Sequence, residues 1–583
     1  MAGESTLNLL ARFLRDILSH RRKLAIVIAM IIGTSVTTLL APYILEVAID
    51  KYILAGRYGE LPLIALVYLV VLILQWVFTA SRDWYINVFG QDVLYNLRSR
   101  LMEKSLRARA EFYEYRRTGD LVSRIINDTS FVNDVLVSGL LGGIGDLGNL
   151  VGIIIAMYIL EPSLTLIALA NVPIMIVIAR YFGGRMRKVY RDTREKMAMV
   201  SNVVEETVSG VETVRAYGRE DLAEREFKRA SIDTYKAYMK AVVYMGIFWP
   251  LMNMSSMLSI VTVLAAGAYL IYTGVTTIGV VVAFIQYTQR FRGPINNIVS
   301  MYDSLQSAFA SLERIYEILD TEDESDDGVG VDKLEGKIEY KNVWFEYEHG
   351  NPVIKGVNIV INPGEVVALV GHTGAGKTTL VYLLLRFREV KSGKILIDNI
   401  DIRDIRRSSL RRRIGYVPQE TYLFPGTILE NIKIVKPDAT QDEVIETCRK
   451  LGIHEFIEKL PNGYDTDAGE AGKRLSAGEK QLISLARAML RKPDIIILDE
   501  ALSNIDPKTE EIVRRAMKRL LKGRTAIIIA HRLALTQEVD KIIVLEDGRV
   551  VEEGSFQELM VKKGKFYRLY KVQEEGVLIP LRG

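Results

Sequence analysis

Cysteine is nearly absent: Cys448 stands alone in 583 residues. That excludes an intrachain disulfide and a cysteine-based metal cluster. Histidine is scarce, with five residues scattered at spacings that match no metal-ligand pattern. An excess of one charge is missing as well. The 75 Lys and Arg against 71 Asp and Glu leave +4, so bulk electrostatics make no case for a nucleic-acid partner. No small-residue cleavage site follows the first apolar run, which is therefore expected to be a retained span and not a signal peptide.

Apolar residues are plentiful. The chain is 49% hydrophobic yet 25% charged, with a mean hydropathy of +0.15. This mixture points to a membrane part joined to a soluble part. Apolar runs lie near 24–46, 61–81, 139–160, 164–184, 246–271 and 277–293. Each is about 20 residues long, enough to cross ~30 Å of hydrocarbon. The third and fourth are separated only by "EPS" and are expected to form a tight hairpin. Pro42, Pro173, Pro250 and Pro294 lie in or beside spans, where neighbouring helices tolerate kinks.

Basic residues set the orientation. Arg12, Arg15, Arg21, Arg22 and Lys23 precede the first run, and the long loops 82–138 and 183–242 are rich in Arg and Lys. The N-terminus, both long loops and everything after the sixth run are therefore expected in the cytoplasm of a cell-membrane protein. Leu7, Leu10, Phe13, Leu14 and Ile17 form one apolar face of a short helix, either interfacial or packed into the protein. The long loops keep helical periodicity, so the spans are expected to continue as helices into the cytoplasm.

"TEDESDDGVG" (321–330) reads as a linker. The organisation expected is a membrane domain over 1–320 with two long cytoplasmic loops, a linker over 321–334, a soluble domain over 335–573 and a tail over 574–583. Beyond the linker, "KIEYKNVWFEY", "EVVALVG", "KILIDN", "RIGYVPQ", "DIIILDE", "TAIIIAH" and "KIIVLED" alternate with helical stretches. The fold class expected is thus all-α and transmembrane, followed by an α/β domain with a largely parallel sheet.

"EVVALVGHTGAGKTTL" is a strand, a glycine-rich loop and a helix. Gly371, Gly374, Gly376, Lys377 and Thr378 fit G-x-x-x-x-G-K-[ST], and His372, Thr373, Ala375 and Thr379 complete the stretch. Glycines let backbone N–H groups wrap phosphates, the lysine reaches the β- and γ-phosphates, and the threonine offers its hydroxyl to Mg²⁺. "DIIILDE" delivers Asp499 to the Mg²⁺ sphere from a buried strand. Glu500 follows, placed to polarise an attacking water, an effect worth ~10²–10⁴-fold. ATP and Mg²⁺ are the cofactors expected.

"WFEYEHGNPVIKGV", "IGYVPQE", "DAGEAGKRLSAGEKQ", "SNID" and "IIIAHRL" occur in that order around the phosphate motifs. "FYEYRRTGDLVSRIINDT" and "VEETVSGVETVRAYGRE" lie in the two long loops. With them the chain resembles an ATP-binding cassette (ABC) exporter half-transporter of the multidrug-like type, over about residues 5–570. The resemblance implies that Tyr347 stacks on adenine and that Gln419 senses Mg²⁺ and the membrane domain. It implies that Asp506 lies in a dimer-contact loop and that His531 is a switch aiding Glu500. Lys377 and the metal would stabilise transition-state charge. Two cassettes would sandwich two ATPs head to tail, so a second half-transporter is implied. ATP closure would turn the membrane helices outward, and hydrolysis would reset them.

One motif departs from the family. Where Leu-Ser-Gly-Gly-Gln is usual, this chain has Leu475, Ser476, Ala477, Gly478 and Glu479. Ser476, Gly478 and the turn after them are expected to face the partner's γ-phosphate at a helix N-terminus. Glu479 gains ~0.3–1 kcal/mol from the helix dipole. Against a phosphate charge ~8 Å away, repulsion at an effective dielectric of 20 is ~2 kcal/mol per unit charge. Repulsion wins if the side chain faces inward, and vanishes if Glu479 turns to solvent or pairs with Lys480. A weakened signature beside an intact Lys377, Asp499, Glu500 and His531 favours a heterodimer, with a homodimer as the alternative.

The function expected is ATP-driven export of an amphiphilic substrate (drug, lipid or peptide) out of the cytoplasm or inner leaflet. The alternatives are a nucleotide-gated channel or a lipid flippase on the same architecture. Trp76, Asn149, Asn171, Trp249, Asn253, Gln286 and Tyr287 are the polar or aromatic groups of the spans that could meet substrate. The spans show no strong charge cluster.

Overall fold

The computed structural model describes residues 6–114, 116–348, 350–499, 505–530 and 533–574. The chain forms two compact units, 1–106 with 117–321, and 107–116 with 322–583.

The first unit is helical. Five helical stretches are long and apolar enough to cross a membrane among the described residues: Arg21–Ile53, Tyr58–Arg107, Thr118–Leu160, Pro162–Ser209 and Glu220–Tyr272. The longest single helices, Leu61–Arg107 and Glu220–Tyr272, have 47 and 53 residues. At 1.5 Å per residue they reach about 70–80 Å, more than twice the hydrocarbon thickness. Leu63, Leu66, Leu69 and Ile73 are exposed along the second stretch, an apolar face suited to lipid tails or a second subunit.

The sixth apolar run is interrupted near its end: Ile278–Arg290 has 13 residues, and after Phe291, whose backbone stays right-handed helical, the helix Arg292–Leu319 follows. Pro294 supplies no N–H for the Arg290 carbonyl, and its ring crowds that turn. The helix Thr6–Leu18 buries Leu9, Phe13 and Ile17 while Leu14 and Leu18 stay exposed. It packs into the protein along one stripe and offers a second apolar stripe outward.

Among the described residues the second unit holds ten strands: β1 (Ile338–Glu346), β2 (Pro352–Ile361), β3 (Val366–Val370), β4 (Ser392–Ile397), β5 (Ile400–Asp401), β6 (Ile414–Val417), β7 (Ile495–Asp499), β8 (Thr525–Ile529), β9 (Lys541–Glu546) and β10 (Arg549–Gly554). They form two sheets, β2-β1-β4-β5 and β10-β9-β3-β8-β7-β6. In the second, β3, β6, β7, β8 and β9 run parallel and only β10 is antiparallel. The "KIEYKNVWFEY" and "KILIDN" segments thus leave the parallel sheet and make an antiparallel one. The chain from Glu346 to Pro352 is too short for a parallel crossover, so β1 and β2 pair as a hairpin.

All five residues of β7 and of β8 are buried. Their unbroken apolar runs reflect a sheet covered on both faces. One core packs the antiparallel sheet and the helix Lys377–Leu384 against β3. The other packs the helices Gln441–Leu451, Ala477–Leu490 and Pro507–Leu521 against β6, β7 and β8. This arrangement sets the carboxyl ends of β3 and β7 on one edge, two strands apart.

Candidate nucleotide site

β3 ends at Val370 and the chain turns at once into Gly371. A Cβ on Gly371 would collide with the Leu545 carbonyl oxygen, so only glycine lets the loop leave the sheet there. Gly376 sits at φ +100° as the cap of the helix Lys377–Leu384, and a Cβ on it would lie 2.6 Å from Ile354 Cδ1. Both constraints come from the domain's own packing and shape the loop in advance.

Lys377 is buried at 5% exposure. Its ammonium donates to the carbonyls of Gly371 at 2.7 Å and His372 at 2.9 Å. The cation is therefore held across the mouth of the loop. His372 is exposed, with Nδ1 donating to the Thr373 carbonyl at 2.8 Å. Gly374 and Thr373 are exposed, Ala375 is buried and Thr378 is half-buried.

Thr379 is buried, and its hydroxyl lies 3.2 Å from that of Tyr347. The Tyr347 ring stands edge-on to Phe345 at 4.9 Å. Burial pushes its phenol pKa up, opposed by the Thr379 bond. The Arg388 guanidinium lies 5.4 Å from the ring centroid. Arg388 is 6% exposed and bonds Glu111 Oε1 at 3.2 Å and Glu114. Both carboxylates belong to the short segment 107–116 of the same unit. Reading the sequence had singled out Tyr347 but not Arg388, because nothing local marks a partner 274 residues away.

Asp499 is 4% exposed at the end of β7. The Tyr416 hydroxyl on β6 lies 3.5 Å from its Oδ2. Burial, reinforced by that carboxylate, pushes the Tyr416 phenol pKa up and keeps it a neutral donor. Val417 pairs with Leu498, so the turn carrying exposed Gln419 begins beside the end of β7. Glu500 and His531 lie outside the described residues. Asp506 caps the helix Pro507–Leu521, its Oδ1 accepting from the Thr509 N–H at 3.0 Å.

The signature opens the helix Ala477–Leu490 with Ser476 as N-cap. Ser476 Oγ accepts from the Glu479 N–H at 3.3 Å, and Glu479 Oε2 accepts from the Ser476 N–H at 2.7 Å. This reciprocal capping box spends two N–H groups of the turn and leaves those of Ala477 and Gly478 to point along the helix axis. Ala477 has no positive φ, so its methyl costs no backbone strain. Gly478 has a tighter reason to be glycine than a phosphate: a Cβ there would clash with Thr509 Cγ2 and lie 3.0 Å from Ile505 Cγ2.

Residues 24–295 match the ABC transporter transmembrane region, and residues 354–503 match the ABC transporter family model. The chain belongs to the ABC transporter family. It is 33% identical over 575 residues to the ATP-dependent lipid A-core flippase of Syntrophus aciditrophicus, covering 98% of this chain and 95% of that one. It is 37% identical over 503 residues to a fatty acid ABC transporter ATP-binding/permease protein of Mycobacterium bovis, covering 86% and 79%. In structure it is similar to a bacterial Atm1-family ABC exporter with ATP bound, with a TM-score of 0.78, 26% identity and coverage of 95% and 98%. This ABC transporter is thus a membrane protein whose helical domain is fused to an ATP-binding cassette. It is an exporter-type ATPase coupled to transmembrane transport.

Proposed function

We propose that this chain is one half of a dimeric exporter that moves an amphiphile out of the cytoplasm or the inner leaflet of the cell membrane. The observation that carries this is the buried Lys377 spanning the glycine loop, on a cassette fused to membrane helices. The two relatives named above carry lipid substrates in their names, which supports an amphiphile of lipid type.

Gly371 to Thr379 cradle the ATP phosphates, and Lys377 exchanges its carbonyl partners for phosphate oxygens. Tyr347 stacks on the base. The Thr378 hydroxyl and the Asp499 carboxylate are hard oxygen donors of the kind Mg²⁺ takes alongside phosphate and water. Mg²⁺ bound there would neutralise phosphate charge, and Gln419 would reach the same sphere. No cluster of three His, Cys, Asp or Glu side chains occurs among the described residues, which suits an ion shared with a nucleotide. Glu500 orients the attacking water and His531 supports it.

The N-terminus of the helix Ala477–Leu490 faces the ATP of the second half-transporter. Glu479 is turned onto that N-terminus and makes no ion pair with Lys480 among the described residues. Its charge therefore opposes phosphate with no neutralising partner, by ~2 kcal/mol at ~8 Å. This supports a weakened signature and a heterodimer whose sister chain carries a regular one. The deciding experiment is reconstitution of the chain alone and with a sister half-transporter into vesicles, reading ATP turnover and lipid translocation. Turnover without translocation of any amphiphile would overturn the export reading.

A further inference from the structure

We infer that the cassette carries a second small-molecule site, for an anionic amphiphile, at the sheet edge opposite the phosphate loop. A cavity of about 500 Å³ opens there, within the ~300–1,000 Å³ typical of ligand sites. It lies at the amino ends of β3, β8 and β9, which are neighbouring parallel strands. The phosphate loop leaves the carboxyl end of β3, so the two sites do not overlap.

Val366, Met517, Leu521 and Val539 give the cavity an apolar floor. Arg514, Lys518 and Lys522 line one wall. They follow each other at four-residue spacing along and just past the helix Pro507–Leu521, so they share one helix face. Glu538 also lines the cavity, and acidic groups balance only part of this wall. Lys518 pairs with Glu538 at 2.7 Å, and one Arg514 nitrogen reaches Glu510 at 3.1 Å. The other Arg514 Nη makes no hydrogen bond among the described residues, so the guanidinium is only partly spent. Lys522 has no acidic partner among the described residues.

An apolar floor beneath donors left unspent is complementary to a ligand with an apolar body and one anionic head. Its carboxylate or phosphate would satisfy the guanidinium, where charge-assisted bonds are strongest. A neutral acceptor would gain only a bond without charge on its side, and a cation would meet like charge.

The test uses the full-length protein in nanodiscs of zwitterionic lipid, with 4-benzoylbenzoate as a photolabel and peptide mapping by mass spectrometry. Label is expected on the stretches 507–523 or 533–540. Competition by 1-naphthoate and 1-naphthyl phosphate separates carboxylate from phosphate preference. The uncharged 1-naphthamide should compete at least ten-fold less well. Lys522→Ala should lower labelling several-fold, and Met517→Trp, which fills the floor, should abolish it while ATP binding is kept. Label confined to other segments, or equal competition by the amide, would overturn the inference.

Discussion

Glu479 Oε2 accepts the Ser476 N–H at 2.7 Å, while Ser476 Oγ accepts the Glu479 N–H. On the proposed dimer, the same carboxylate that stabilises the start of the signature helix would lie beside the partner's phosphate. Helix capping and anion binding draw on the same N–H groups, and a charge that serves the first opposes the second.

Glu479→Gln separates the two effects. An amide oxygen keeps the capping box and removes the charge. Closure of the cassettes on ATP should tighten several-fold, with ~30-fold as the ceiling set by ~2 kcal/mol. Glu479→Ala should lose the cap as well, at a cost of about 1 kcal/mol in the stability of this helix. Spin-label or fluorescence measurement of closure, alongside thermal melting, tells the two variants apart. Identical closure in wild type and Glu479→Gln would leave the carboxylate a capping group alone.

Lys377→Ala should cut ATP turnover by at least two orders of magnitude. It removes a buried cation held by two loop carbonyls, and phosphate charge would be left uncompensated. Phosphate release by the purified dimer is the measurement. If a sister chain hydrolyses slowly, the reading is made on the site with the altered lysine.

Glu500→Gln should still bind ATP and accumulate the closed form, since the amide keeps the shape and loses the charge that orients water. Trapped radiolabelled nucleotide after filtration is the readout. Normal turnover would remove Glu500 from the chemistry.

Arg388→Ala should uncouple substrate from turnover. The guanidinium links the Tyr347 ring to Glu111 and Glu114. Those carboxylates are more than a third exposed, so solvent screening reduces the loss from the several kcal/mol of a fully buried pair to about 1–2. Basal ATPase should persist and its stimulation by amphiphiles should fall at least two-fold. A double-mutant cycle with Glu114→Ala should show the two losses to be non-additive.

Cys448 should resist alkylation in the folded protein. Burial pushes its thiol up to about 11, opposed by a bond with Tyr464. Because the folded value lies above the unfolded one, the stability gained by keeping the thiol neutral is full below about 9 and is lost as pH rises through about 11. As the sole cysteine, it should take up maleimide at pH 7.5 only when its helical region opens. Rapid stoichiometric labelling of native protein would contradict this.

The glycine loop, the lysine and the acidic strand end were legible because their signal is local: strand, turn and helix follow each other within about fifteen residues. Five of the six apolar runs became long helices for the same reason, since span length is a property of one segment. The capping box was legible as well, in the Ser476-x-x-Glu479 spacing, but phosphate recognition competed for the same residues. The sixth run was legible as apolar with Pro294 beside it, but where the proline interrupts the helix was not. Arg388, Tyr416 and the packing of Gly478 on Ile505 and Thr509 could not be read, because each is defined by a partner remote in the chain.

The sequence by itself determined the membrane helices, the cassette and the order of its phosphate motifs, because hydrophobic run length and turn chemistry act between near neighbours. Only the tertiary structure decided that β1 and β4 leave the parallel sheet, that Arg388 joins Tyr347 to the segment 107–116, and that Glu479 folds back on Ser476. Each of these is a choice among partners that the sequence makes equally available. The choice falls to whichever arrangement buries apolar surface while leaving the fewest polar groups unpaired.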